Sequence, residues 1–181
     1  MIDGIEFAGY ASGLKAKGLD LGLAFFKEPM HCLSLYTRNK IKAAHILYNK
    51  RIEANPIRAL LVNSGCANAC TGKDGVADLR FIAGELSGIL GIKGNEILFA
   101  STGVIGKRMP TEKIVSALPA ICKHLKNNGI ETFAHSIMTT DTYPKIVSAS
   151  VKGKKTYNII GVAKGAGMIN PLFATMLSFV F

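Results

Sequence analysis

The sequence predicts a mixed fold of strands and helices, and three observations carry that prediction. Short apolar runs end in Gly-, Ser- or Asn-bearing turns, as Ile57 to Val62 does at Asn63-Ser64-Gly65. Longer stretches place apolar residues three and four apart, most clearly from Asp74 to Leu90. Nearly half of the 181 residues (49%) are hydrophobic, enough for one substantial core or two small ones.

In chain order, Leu19 to Phe26 reads as a strand. Ile57 to Val62 is almost continuously apolar, the pattern of a strand buried on both faces. Asp74 to Leu90 is a helix whose Val76, Leu79, Ile82, Ala83, Leu86, Ile89 and Leu90 share one face. Asp74 is placed to help cap its start, and Gly91 to stop it. Glu96 to Ala100 is a second strand, ending at Ser101-Thr102-Gly103. Thr111 to Leu125 is a helix bent or broken by Pro119. Ile130 to Met138 is a third helix. Lys145 to Val151 and Lys154 to Val162 form a hairpin around Gly153. Ala174 to Phe181 reads as a strand that has only begun, so the chain is expected to be a fragment or to be continued elsewhere.

Composition narrows the function classes. No apolar run approaches the roughly 18 residues of a membrane span, and the first residues lack a signal-peptide pattern. A soluble, intracellular protein is expected. Cys32, Cys66, Cys70 and Cys122 have neither a secreted context nor zinc-knuckle spacing, so free and mostly buried thiols are expected, with no metal. The net charge of +10 is spread along the chain, without a basic run or interleaved aromatics. A nucleic-acid-binding domain therefore rests on net charge alone, and an ordinary basic surface explains it as well.

Four polar segments, three of them glycine-bearing, adjoin the apolar runs: Asn63 to Gly72, Ser101 to Gly106, Met138 to Thr142 and Lys164 to Met168. None is a phosphate loop. Gly72-Lys73 is followed by Asp74, and Ala67 stands where the first Gly belongs. Gly165 and Gly167 are followed by Asn170, which breaks the dinucleotide fingerprint. His31, His45, His124 and His135 lie outside the glycine loops, and there is no nucleophile elbow. A Thr hydroxyl becomes a competent nucleophile when chain cleavage leaves its own α-amine beside it as base. Ala174-Thr175, after a Gly-rich turn and Pro171, is one such place. On spacing alone, a Thr that merely opens a strand remains the simpler reading.

From about Gly9 to Phe179 the same segments resemble the ornithine acetyltransferase family, bifunctional enzymes of arginine biosynthesis that also make N-acetylglutamate. The likeness lies in Leu61 to Gly65 with Ala67 to Gly72, in Ala100 to Gly106, and in Ile137 to Thr142 with Pro144-Lys145. It continues through Gly161 to Ile169, Pro171 and Ala174 to Leu177. The resemblance implies an α+β fold, a layered αββα sandwich. It implies self-cleavage between Ala174 and Thr175, with Thr175 then the acyl-accepting nucleophile. Thr102 and Gly103 would form the oxyanion hole, and Thr139, Lys164 and Thr175 would bind substrate. Acetyl would pass from N2-acetylornithine to glutamate through an acetyl-Thr175 ester, with acetyl-CoA as an added donor in bifunctional members. No other cofactor is implied.

Residues 1–181 would be the α-chain portion, with Thr175 to Phe181 the start of a β chain. The rest of that chain, which carries an acidic substrate-binding residue, would be the partner in a cytoplasmic α2β2 heterotetramer, without nucleic acid or membrane. This stretch alone is expected to be inactive. Cys66 departs from the pattern, standing where the family usually has Asn. Two rivals remain beside this: a self-processing N-terminal-Thr aminopeptidase, and a non-catalytic, partner-binding subunit.

Overall fold

The computed structural model describes residues 2–153, 156–166 and 175–181. Among the described residues, seven strands form two sheets. Sheet 1 has the order β1 (Ile5–Tyr10), β2 (Leu21–Met30), β3 (Ile57–Cys66) and β4 (Ile97–Val104). Its first two pairings are antiparallel, and β3–β4 is parallel. A parallel pair needs a crossover, which helix α2 (Gly72–Leu90) supplies. Sheet 2 is antiparallel throughout, in the order β5 (Lys145–Lys152), β6 (Thr156–Lys164) and β7 (Leu177–Val180). Helices α1 (Ala44–Asn49), α3 (Thr111–Lys123) and α4 (Ile130–Ser136) complete the described elements.

Sheet 1 is buried on both faces, as the apolar run of β3 predicts: Ile57, Ala59 and Val62 have no exposed surface. Its two faces have different covers. Apolar residues of α2 and α3, among them Leu79, Ile82, Leu118 and Ile121, belong to the same buried core. On the face that carries Phe7, Phe133 of α4 packs with ring centroids 5.8 Å apart. Sheet 2 closes the same side through β7 and the residue after it: Phe181 meets Phe7 edge-on at 4.9 Å, and Phe179 meets Phe133 at 5.8 Å. The result is a layered α+β sandwich, as expected. The outer strand of sheet 2 is exposed, with Val147 and Val151 in solvent.

Several local expectations change. Strand β1 and helix α1 add to the elements that the sequence pattern predicts. Helix α2 begins at Gly72, and Asp74 lies in its first turn without capping it, because the N-cap residue is Thr71. Gly91 does end it, in the left-handed conformation at φ 65°. Pro119 does not break α3, which runs through it to Lys123. Glu96 belongs to a short 3₁₀ turn, where its carboxylate accepts the Lys93 N–H at 2.9 Å. The hairpin around Gly153 forms, although residues 154–155 and Ala174 lie outside the described residues. The four cysteines are free, but Cys70 is exposed while Cys66 is buried.

Candidate functional site

The end of β4, the end of β6 and the loop after α4 meet at the junction of the two sheets. Lys164, the last residue of β6, is 4% exposed. Its ammonium donates to Thr139 Oγ1 at 2.6 Å and to Thr102 Oγ1 at 3.2 Å. Three residues separated by as many as 62 positions are thereby brought to one point. A hydroxyl that accepts a hydrogen bond keeps its own proton to donate. Accepting from Lys164 therefore leaves the hydroxyl protons of Thr102 and Thr139 available to a ligand oxygen.

Burial lowers the pKa of Lys164, and the nearby Asp141 carboxylate pulls it back up. Lys145 and Lys15 add to the lowering by like-charge repulsion. The site is thus a buried cation with two hydroxyls directed by it. Lys15 also donates from Nζ to Met138 O at 3.0 Å, which ties the segment before β2 to the loop that holds Thr139.

Gly103 follows Thr102 at the end of β4 with φ 132°. Its register partner Gly65 has φ 109°. These are backbone conformations that residues with a Cβ rarely adopt. A Cβ on Gly103 would also run into the backbone of Gly65 and the Cys66 nitrogen. Two glycines are therefore required where β3 and β4 cross at their ends, and that crossing aims Thr102 at Lys164.

Thr175 stands two residues before Leu177, the register partner of Lys164. Together with Ala100 and Ser101 it lines a cavity of about 870 Å³ between the sheets. Among the described residues it shares no hydrogen bond with Thr102, Thr139 or Lys164. The Ala174–Thr175 peptide bond lies outside the described residues.

The segment Asn63 to Gly72, which reads as chemistry-bearing, spends its polar side chains on structural hydrogen bonds. Asn63 Nδ2 donates to Cys66 O at 2.8 Å, and Ser64 Oγ to Ser136 O at 2.6 Å. Asn68 Nδ2 donates to Gly75 O at 3.1 Å, and Thr71 Oγ1 to Asn68 Oδ1 at 2.7 Å. The Cys66 thiol lies 3.5 Å from Lys107 O, fastening this loop to the one after β4. Sequence reasoning gave no role to Asp141, whose side chain is wholly shielded beside Lys145. Its signal was an acid four residues before a lysine in a strongly basic chain. Among the described residues there is no cluster of His, Cys, Asp or Glu able to hold a metal ion. Nor is any described helix long and apolar enough to cross a membrane.

A buried lysine that donates to two hydroxyls, beside a strand end that needs glycine, places hydrogen-bond donors together at one point. Comparison with known proteins narrows this to a family. The ArgJ family model matches residues 6–181. The arginine biosynthesis bifunctional protein ArgJ of Syntrophotalea carbinolica is 40% identical over 99% of this chain and 46% of its own length. That of Thermotoga neapolitana is 42% identical over 98% of this chain and 45% of its own. Among solved structures, Bacillus halodurans ArgJ matches with a TM-score of 0.87 at 33% identity. The match covers 97% of this chain and 92% of that one. Ornithine acetyltransferase of Mycobacterium tuberculosis, solved with ornithine, matches with a TM-score of 0.85 at 34% identity. It covers 97% and 93% of the two chains. This chain belongs to the ArgJ family. It spans about half the length of the curated relatives it matches.

Proposed function

We propose that the protein of which this chain is part is an acetyltransferase of arginine biosynthesis, using Thr175 as its acyl carrier. The observation that carries the reading is the Lys164 ammonium seated between the hydroxyls of Thr102 and Thr139. Both N2-acetylornithine and glutamate bear an α-carboxylate, and an ammonium with two free hydroxyl protons suits such a group or a developing oxyanion.

In this reading the Thr175 hydroxyl first attacks the Ala174 carbonyl carbon. The peptide C–N bond breaks as the ester forms, and water then opens the ester. Thr175 is left with a free α-amine, which serves as its base. The same hydroxyl next attacks the acetyl carbon of N2-acetylornithine. Ornithine leaves as the amine, taking the proton, and acetyl-Thr175 remains. The glutamate amine then attacks that ester, forming N-acetylglutamate and restoring the hydroxyl. Thr102 and the N–H of Gly103 would hold the oxyanion in each tetrahedral intermediate. Use of acetyl-CoA as a second donor is proposed from the word bifunctional in the relatives' names.

Coverage supports a division of the polypeptide near this point. The chain covers less than half of the curated sequences, yet more than nine-tenths of each solved chain. The partner would be the remaining, β-chain part, and the assembly an α2β2 heterotetramer. Intact mass and N-terminal sequencing of the full-length protein and of Thr175→Ala test the first step. The wild type is expected to split between Ala174 and Thr175, and the variant to stay whole. A wild type that stays whole would favour a non-catalytic, partner-binding role.

A further inference from the structure

Asp141 lies two residues beyond Thr139, and its side chain has no exposed surface. Oδ1 accepts from Lys145 Nζ at 2.7 Å and from the Gly165 N–H at 2.7 Å. Oδ2 accepts from the Thr139 N–H at 3.3 Å and stands 4.0 Å from Lys164 Nζ. One carboxylate therefore holds the backbone on both sides of the site. Gly165 follows Lys164, and Thr139 carries the hydroxyl that Lys164 touches at 2.6 Å.

The charges around it are uneven. Lys164 and Lys145 face the carboxylate directly, and Lys15 reaches the neighbouring Met138 carbonyl. Asp20, the acid on the far side of Lys15, is occupied by Ser12 and by the Lys15 N–H. A buried ammonium is costly without a counter-charge, and Asp141 is placed to supply it.

We propose that Asp141 is the positioning residue of this site, fixing the Lys164 ammonium against Thr102 and Thr139 and serving as its counter-charge. The inference rests on the reading of Lys164 as part of the acyl-transfer site, but it can be tested apart from that reading. Asp141 does not itself meet the substrate. It acts by keeping Lys164 protonated where burial and two neighbouring lysines favour the neutral amine.

The test is a titration of the full-length protein carrying lysine labelled with ¹³C at Cε, with the Lys164 resonance assigned through Lys164→Arg. Asp141→Asn preserves shape and removes the charge. It should lower the Lys164 midpoint by about one pH unit or more, the usual effect of losing a close counter-charge. The alkaline limb of kcat/KM for acetyl transfer should move to lower pH with it. A purely structural role would reduce activity and leave both midpoints in place. Lys145→Gln, which keeps Asp141, should shift the Lys164 midpoint the other way and serves if Asp141→Asn does not fold. A Lys164 midpoint that stays put or rises in Asp141→Asn, or fails to rise in Lys145→Gln, overturns the proposal. If the midpoints move as expected but the wild type transfers no acetyl, the functional reading fails and the role of Asp141 toward Lys164 stands.

Discussion

Two shielded side chains, His45 and Asp141, have pKa values below their ordinary ranges for different reasons. Burial lowers His45 to about 4, and its Nδ1 has no partner among the described residues. For Asp141, burial alone would raise the pKa. Hydrogen bonds from Lys145, Gly165 and Thr139 outweigh it and bring the value to about 2. Both values lie below those of the unfolded chain, about 6.5 for His and 3.9 for Asp. The unfolded state therefore binds protons first as pH falls, so acid removes stability in both cases. His45 should weaken the fold from about pH 6.5 down to about 4. Asp141 should weaken it from about pH 4 to about 2, by about 2 kcal/mol in all. Urea midpoints measured against pH should show both declines, and Asp141→Asn should lack the second. An unchanged acid slope in that variant would mean the carboxylate is not held as described.

The parallel crossing of β3 and β4 is the element on which the site depends. Its far edge is closed by Asn49 of α1, whose amide donates to Phe99 O at 2.8 Å and accepts the Phe99 N–H at 3.0 Å. A side chain thus takes the place of a fifth strand at an edge that would otherwise be open. At the other end, Gly65 and Gly103 allow the backbones to approach. Gly103→Ala forces a Cβ into the Gly65 backbone, which should displace the strand end that carries Thr102. Acetyl transfer should fall by about 10²–10³, the cost of one lost oxyanion donor, as read by steady-state kinetics. Activity within a fewfold of wild type would remove Gly103 from the site. The crossing was largely legible beforehand. Ile57 to Val62 and Glu96 to Ala100 are apolar runs that end in turn residues, and α2 has an unbroken periodicity closed by Gly91. The six residues of α1 are too few to show a helical period. In β1, Ala8 and Gly9 interrupt the alternation that Ile5 and Phe7 begin. The grouping of Thr102, Thr139 and Lys164 came from the family resemblance, since nothing in their spacing joins residues from different sheets. Asp141 stayed hidden because two of its three hydrogen-bond partners are backbone N–H groups, which leave no mark on the sequence; only the third, Lys145, does.

At the scale of the molecule, much apolar surface is uncovered. Leu33, Leu35 and Ile41 are 93%, 92% and 69% exposed on the segment between β2 and α1. They line the same inter-sheet cavity as Thr175 and β7. Exposed apolar patches of this kind mark interaction surfaces, and the proposed β-chain part accounts for the cover. Hydrogen exchange should therefore slow across residues 31–43 when this chain is co-expressed with the remaining part of its polypeptide. Exchange that stays fast there would place the β-chain part elsewhere. The proposed acetyl transfer turns on Thr175 carrying the acetyl group. The most direct measurement is to mix the full-length protein with N2-acetylornithine, omit glutamate, quench in acid and determine the mass of each chain. The chain beginning at Thr175 should gain the mass of one acetyl group, on Thr175 itself, and lose it when glutamate is added. No added mass on that chain, with N-acetylglutamate still formed, would contradict that role of Thr175.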